Sequence, residues 1–550
     1  MAHPPASQPA QTTAGSLKET IESIIIAFIL AFVFRAFVVE AFVIPTGSMA
    51  PTLLGKHMVF TCPQCGYVFE TGPRDQVEFV RGGIAHREPR LIQGQPNHPT
   101  LAVTCPMCQH RVTEPQFRIK PGDRILVLKY LYLVRPPQRW EVVVFRNPKQ
   151  PAMNYIKRLV GLPHEMLWIA GGNILTRPLD PATGEPIADA PWRLAVKPEH
   201  VQREVWQPIY HSRYIPQDAK SRNPPWQSPW QPTTDRIEPI QHGLKFRYAG
   251  GATEAGPATL AFDFDRTRYS ADDYSPYNAW PRNKQDYVTL DELRLAVTVV
   301  PEAGGGAVAL ELHNDRFAFE ARITAAGEPE LLVRARGEPA AAGVRGQVLG
   351  EARPLAADAI ARLELWYADG VASFWRDGQV VARHELPLVV DGRPTVDGPA
   401  IRLDADAAAE ASRPASFPPQ VRVHIDGPPA MLTEVDLDRD LFYRGHGPVG
   451  QNARGNLRGS ADRKVALHAD QFFCLGDNSP RSEDSRMWDR VDPWVQYYTP
   501  EHGTGGVGPG IVPRKLLMGR AFFVYLPAPF SLTPTGFPFI PNFADLRFIR

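Results

Sequence analysis

Ile24 to Phe34 reads IIIAFILAFVF, an unbroken apolar run, and apolar character resumes from Ala36 to Val39. Counted from Ile21, the stretch to Val39 is 19 residues long, close to the roughly 20 that carry a helix across a bilayer. Arg35 and Glu40 interrupt its far end, where an arginine can snorkel to the interface. A cleaved signal peptide, a buried core helix and a single membrane anchor all fit this pattern. Cleavage would free a chain that begins just before its most suggestive motif; residues 17–42 are therefore expected to be an anchor. Residues 1–16 are small and polar and are expected to be disordered. Lys18 on one side faces Arg35 and Lys56 on the other, so charge alone assigns no orientation.

From Val43 onward the pattern changes to short branched and aromatic runs bounded by Pro or Gly, which predict strands. Candidates are Arg124–Val134, Glu141–Phe145, Asn154–Gly161 and Leu516–Pro527. Residues 177–286 are dense in Pro, Trp and Gln with little periodicity, and read as an irregular insert. Residues 287–445 alternate strongly, in Leu293–Val300, Ala307–His313 and Phe317–Ile323. Arg362–Leu386 then reads as three strands joined by two Asp-Gly turns, the strongest short hairpin signal because both turn residues must tolerate positive φ. Repeated hairpins predict a β-sandwich. Its pattern resembles the concanavalin-like and laminin-G-like jelly rolls, a likeness of fold that implies no ligand.

Composition bounds these readings. At 550 residues, 43% of them hydrophobic, the chain can bury several cores. A net charge of +1 offers no footprint for nucleic acid. The 56 prolines, about twice the usual share, favour loops and β-structure over helical bundles. Five cysteines are too few for a disulfide scaffold.

Four segments carry candidate chemistry, in this order: Ile44–Gly55 (IPTGSMAPTLLG), Pro121–Tyr132, Glu141–Glu165 (containing NYIKRLVGLPHE) and Gly476–Arg486 (GDNSPRSEDSR). Singly, a Ser in a turn, a Lys in a strand or a polar loop means little. Jointly, they suggest a serine nucleophile with a lysine base. A Ser hydroxyl is a poor nucleophile until a base takes its proton, and a Lys is a base only when desolvation keeps it neutral. Lys157 is flanked by Tyr155, Ile156, Leu159 and Val160, a setting for a lowered pKa. Lys129 lacks such a surround, and Arg158 cannot lose its proton.

With Ser48 in SMAPTL and Lys157 in YIKRLVGLP, the segments resemble the bacterial type I signal peptidases, or leader peptidases. The resemblance covers about residues 18–60, 118–176 and 470–530. It implies a mainly β catalytic body on a single N-terminal transmembrane helix, with Ser48 as nucleophile and Lys157 as general base. Thr46 and the Ser48 N–H would be oxyanion donors. Ser482 would orient the amine, and Asp484 with Arg486 would form a supporting ion pair, while Gly476, Asp477 and Asn478 shape the loop. An extended signal peptide would add as a strand in a groove lined by Ile44, Pro45, Tyr155 and Ile156. The partners would be secretory preproteins and membrane lipid, with the catalytic side extracytoplasmic and no cofactor for catalysis.

Cys62, Cys65, Cys105 and Cys108 form two C-x-x-C knuckles, which read as a structural tetrahedral zinc site. The 39 residues between them exceed the commonest spacing, and disulfides are the rival in an oxidising compartment. His57 and His110 stand as substitute ligands, with the surface as their default place, and Cys474 is expected as a small buried residue. The Phe- and Pro-rich end of the chain reads as packed strand and coil, or as an aromatic face on the bilayer.

The expected organisation is thus a catalytic body over 43–60, 118–176 and 446–530, interrupted by a zinc-ribbon-like insert over 61–117, the irregular insert over 177–286 and the sandwich over 287–445, with a tail over 531–550. The function expected is a membrane-bound serine endopeptidase that removes signal peptides from translocated preproteins. Two alternatives stand beside it. One is a non-enzymatic, membrane-anchored surface-binding protein with a degenerate peptidase body. The other is a self-cleaving repressor-type protease, which needs a DNA-binding helix-turn-helix that the sequence does not display.

Overall fold

The computed structural model describes residues 13–72, 78–80, 83–85, 101–114, 119–251, 256–265, 269–278, 287–390, 398–403, 418–445, 457–498, 507–527 and 542–550. Of the disorder expected over 1–16, residues 1–12 lie outside these residues and 13–16 are helical instead, and most of the tail expected over 531–550 also lies outside them.

The chain enters through helix α1 (Thr13–Phe37). The helix stops two residues before strand β1 (Val39–Val43), so the last part of the expected 17–42 segment is extended. The β-branched Val38 and Val39 favour that switch. Counted over the described side chains, no helix is long and apolar enough to cross a membrane.

β1 opens the sheet that carries the site. It pairs with β2 (Arg124–Leu128), and the sheet continues through β3 (Val142–Asn147), β4 (Gln150–Gly161), β5 (Gln471–Leu475) and β6 (Leu517–Leu526). The spatial order is β1-β2-β6-β3-β4-β5, ending on Val512–Pro513, with the terminal Arg547–Phe548 added to β6. Every pair is antiparallel. The run Arg124–Val134 was expected to be one strand. It breaks after Leu128 into the short helix α2 (Leu131–Val134), leaving Leu133 and Val134 exposed.

Two cores hold this body. Ile44, Met49, Leu53, Ile125, Val127, Val142, Val144 and Ile156 close one face. Val143, Phe145, Leu159, Val160 and the Phe472–Leu475 run close the other. β3 and β4 each supply residues to both, which is why Val142 to Phe145 is apolar without alternation. A small sheet of Glu165–Ala170, Asn173–Pro178, Arg193–Leu194 and Val465–Leu467 flanks them.

The sandwich consists of a nine-stranded and a seven-stranded antiparallel sheet among the described residues, closed over one large core. It extends beyond the expected 287–445. Gln207–His211, Ile237–Ile240 and Lys245–Tyr248 join the larger sheet, while Trp230–Pro232 and Ala258–Phe262 join the smaller. These strands are three to five residues long and three of them contain Pro, so their alternation is too brief to stand out. The three hairpin strands of Arg362–Leu386 form as the pattern predicts, with Asp369 and Asp377 at positive φ in the turns.

Candidate active site

Ser48 sits in a one-turn 3-10 helix, Gly47–Met49, that follows Thr46 in extended backbone. The turn is pinned from the side by the Gly-Asp-Asn loop. The Asn478 N–H donates to the Ser48 carbonyl at 3.1 Å, and Asn478 Nδ2 donates to the Gly47 carbonyl at 2.9 Å. Gly476 lies against the same turn. A Cβ there would fall inside the van der Waals envelope of both the Ser482 hydroxyl and the Ser48 carbonyl, so the close approach requires glycine.

Lys157 comes from the middle of β4, and its amine meets Ser48 directly: Nζ lies 2.6 Å from Oγ. A second contact, at 3.0 Å, goes to the Ile156 carbonyl. The residue is only 3% exposed. Burial pushes its pKa down to about 8, against the opposing pull of Asp484, Cys474, Glu483 and Asp477. The face of the Tyr155 ring lies 5.1 Å from the ammonium. Lys129 is elsewhere, paired with Glu40 at 3.1 Å and partly exposed.

Arg158, next to the lysine, points to the opposite side of the strand. It forms a buried fork on Asp477 at 2.9 and 2.6 Å, and Asp477 also accepts from Thr52 at 2.6 Å. Asp484 and Arg486 make a second buried fork at 2.8 and 2.7 Å. Burial would raise the Asp484 carboxyl, but Arg486 and the Gly476 N–H outweigh it and hold the pKa low. Arg486 in turn donates to the Arg444 carbonyl and to Ser479.

Ser482 behaves differently from the expectation that it bonds the lysine amine. It is buried beside the turn, and its hydroxyl makes no hydrogen bond of good geometry, lying close enough to Asp484 only for a weak lowering influence on that carboxyl. The Ile156 carbonyl takes the contact expected of it. Thr46 is half-buried, with its side chain making no cap to the turn.

Of the expected groove residues, Ile44 and Ile156 are buried, Tyr155 half-buried and Pro45 exposed. Ile44 N–H is already committed to the Asp123 carbonyl at 2.9 Å. β4 pairs with β3 along Gln150–Arg158, but β5 joins its other side only from Arg158 onward. Among the described residues, no strand pairs with that second edge between Gln150 and Lys157.

The four cysteine sulfurs converge. Cys62 and Cys108 lie 3.5 Å apart, Cys65 and Cys105 3.6 Å, and all four ligand atoms fall within 4.8 Å of one another. None is bonded to another. Four sulfurs about 2.3 Å from a zinc ion would be spaced nearly 4 Å apart, so the residues fit a structural ion. Neither histidine joins them. His57 is buried, contrary to expectation, because its ring bonds the Gly55 carbonyl at 2.7 Å, while His110 approaches Asp218. Cys474 is buried within the core beside Lys157, and burial pushes its thiol up.

Sequence reasoning missed Tyr277 and Asn278, which pack on the nucleophile turn from the insert; a Pro-Tyr-Asn turn carries no local mark of such a role. It also missed a buried cluster in which Lys197 bridges Asp369 and Asp440 at 2.6 and 2.9 Å.

The turn thus brings a serine hydroxyl and a buried lysine amine into direct contact, flanked by two buried arginine–carboxylate forks. The profile described as "Signal peptidase, peptidase S26" matches residues 17–77, 102–207 and 377–526, more than half of the chain. The chain belongs to this signal peptidase family of serine peptidases. Signal peptidase I of Pseudomonas aeruginosa is 37% identical over 98 residues, covering 14% of this chain and 34% of that protein. Signal peptidase I of Rickettsia typhi is 25% identical over 155 residues, covering 28% of this chain and 41% of that protein. The chain thus spans well under half the length of these curated relatives. A carbohydrate-binding module, CBM66, from Bacillus subtilis aligns over 38% of this chain and 96% of its own length, at 10% identity and a TM-score of 0.22. A galectin from Caenorhabditis elegans aligns over 27% and 81%, at 13% identity and a TM-score of 0.16.

Proposed function

We propose that the chain is a membrane-anchored endopeptidase that removes signal peptides from secretory preproteins with Ser48 as nucleophile and Lys157 as general base. The observation that carries this reading is the 2.6 Å contact between a buried amine and the serine hydroxyl. With its pKa lowered to about 8, about half of Lys157 is neutral near that pH and can take the Ser48 proton as the hydroxyl attacks the scissile carbonyl. The protonated amine then gives that proton to the leaving amine, and a water activated by the same lysine hydrolyses the acyl-serine. Thr46 and the Ser48 N–H would stabilise the oxyanion. Ser482, whose buried hydroxyl makes no hydrogen bond of good geometry, would receive the amine as it turns from Ser48 during the cycle.

The substrate would lie along the unpaired edge of β4 before Lys157, adding a strand by main-chain hydrogen bonds. Ile44, Pro45, Tyr155 and Ile156 would supply the pockets for small side chains near the cut.

Anchoring is supported by α1. Its described side chains from Ile24 to Phe37 are apolar apart from Arg35 and lie at the surface, and a helix apolar all round needs lipid or protein to cover it. The catalytic body would then sit on the extracytoplasmic face. The four cysteines would hold one structural zinc that folds the knuckles and takes no part in the reaction.

Cleavage of a preprotein with a small-x-small signal peptide, by the purified chain and by a Ser48→Ala variant, tests the proposal. Wild type should cut after the small-x-small motif and the variant should not. Equal cutting by the two would overturn it.

A further inference from the structure

The insert reaches back to the nucleophile. Tyr277 and Asn278 lie between the family-matched stretches and sit in a short 3-10 turn, both buried. The Tyr277 ring covers Gly47 so closely that a Cβ there would overlap it. Its hydroxyl donates to the Lys56 carbonyl at 2.9 Å, and its carbonyl accepts from the Gly72 N–H at 2.9 Å. Asn278 forms a reciprocal amide pair with Asn478: Asn278 Nδ2 donates to Asn478 Oδ1 at 2.7 Å, and Asn478 Nδ2 donates to Asn278 Oδ1 at 3.0 Å. Asn478 Nδ2 uses its second hydrogen on the Gly47 carbonyl.

That last bond matters because a peptide unit is planar and trans. The Gly47 carbonyl and the Ser48 N–H belong to one such unit and point in opposite directions. Fixing the carbonyl against Asn478, with help from the Ala50 N–H at 3.1 Å, therefore aims the Ser48 N–H. Asn278 saturates the rest of the Asn478 amide and so sets its rotamer. Asp273 braces the same segment, receiving a fork from Arg444, whose carbonyl accepts from Arg486.

We propose that Asn278 and Tyr277 are positioning residues that clamp the Gly47–Ser48 peptide with its N–H toward the developing oxyanion, so that the insert completes the active site. This rests on the Ser48–Lys157 reading above. Removing the Asn278 amide leaves Asn478 with a buried unpaired donor and acceptor, and the carbonyl it holds gains freedom to rotate.

The test uses the full chain, a small-x-small peptide substrate and four variants: Asn278→Asp, Asn278→Leu, Ser48→Ala and the exposed-site control Arg345→Ala. Asn278→Asp keeps shape but sets a carboxylate against Asn478 Oδ1; Asn278→Leu removes both bonds. Each should lower kcat about 10- to 100-fold, a fraction of the 10²–10³ lost with a whole oxyanion donor. KM should stay within about twofold, and in Asn278→Leu, which adds no charge, the pH midpoint should not move, because the base is untouched. Arg345→Ala should match wild type. A purely structural role would instead alter KM, the pH midpoint or the folded fraction. If Asn278→Leu fails to fold, Asn278→Asp decides. Wild-type kcat in the folded Asn278 variants, with Ser48→Ala inactive, overturns the clamp alone. Full activity in Ser48→Ala overturns the dyad, and the clamp with it.

Discussion

Lys157 shows how one side chain links burial, pH and rate. Burial favours its neutral form, and its pKa falls to about 8. Activity should therefore rise with pH through about 8 and level off above it. Stability follows the same proton. The unfolded lysine keeps an ordinary value near ~10.4, so between about pH 8 and 10.4 the unfolded chain binds more protons, and this group's contribution to stability rises with pH across that window. Below it the fold carries a buried ammonium at full cost. Lys157→Met should then stabilise the protein at pH 7 by about 1–3 kcal/mol in urea unfolding while abolishing cleavage; a destabilised variant would show that the amine's contacts outweigh its desolvation. Gly476 makes the opposite case. Gly476→Ala forces a Cβ against the Ser482 hydroxyl and the Ser48 carbonyl and should cost about 1–3 kcal/mol by overpacking, with a larger proportional loss of turnover than of folded protein. Circular dichroism and a peptide-cleavage assay on the same sample separate the two.

Among the elements, the segments closest to the chemistry were the most legible. Ser48 and Lys157, which the structure brings into contact, stood out because each lies in a short run whose neighbours are local: a Gly-bounded turn and a strand flanked by apolar residues. The same locality explains the hairpins around Asp369 and Asp377. The direction of the Ser482 hydroxyl depends on a loop packed by Gly476, which no local pattern encodes. The strands between Gln207 and Phe262 were hidden by their brevity, and the break after Leu128 by the apolar residues of α2 that follow it. The cysteine knuckles were legible as a pair of motifs, and their sulfurs converge at zinc-like spacing. Metal analysis should find about one zinc per chain, and Cys105→Ser should release it. Because Gly72, just past the first knuckle's hairpin, bonds the Tyr277 carbonyl, chelation should also increase hydrogen exchange at Gly72. A metal-free chain with bridged cysteines would replace zinc with disulfides.

Over the whole molecule, catalytic body and insert are joined by buried charge as well as by the clamp. Lys197 lies over the Trp140 ring and between Asp369 and Asp440, with Glu292 close by. Burial raises the Glu292 carboxyl well above its usual range, and the two aspartates add to the rise. Lys197→Met would leave these carboxylates uncompensated and should cost about 3–5 kcal/mol, read as a lower urea midpoint with Lys157-dependent pH behaviour unchanged. Contacts such as these, and Asn278 on Asn478 across 200 residues, could not be read from the sequence, since nothing near either partner announces the other. The central claim is still local: Ser48 attacks and Lys157 is its base. Its most direct test is the rate at which an electrophilic acylating probe modifies the protein, followed by peptide mass spectrometry from pH 6 to 10 in wild type and Lys157→Arg. The account predicts an adduct on Ser48 whose rate rises through about pH 8 in wild type and is lost in Lys157→Arg. An adduct on another residue, or the same pH-dependent rate at Ser48 in Lys157→Arg, would contradict it.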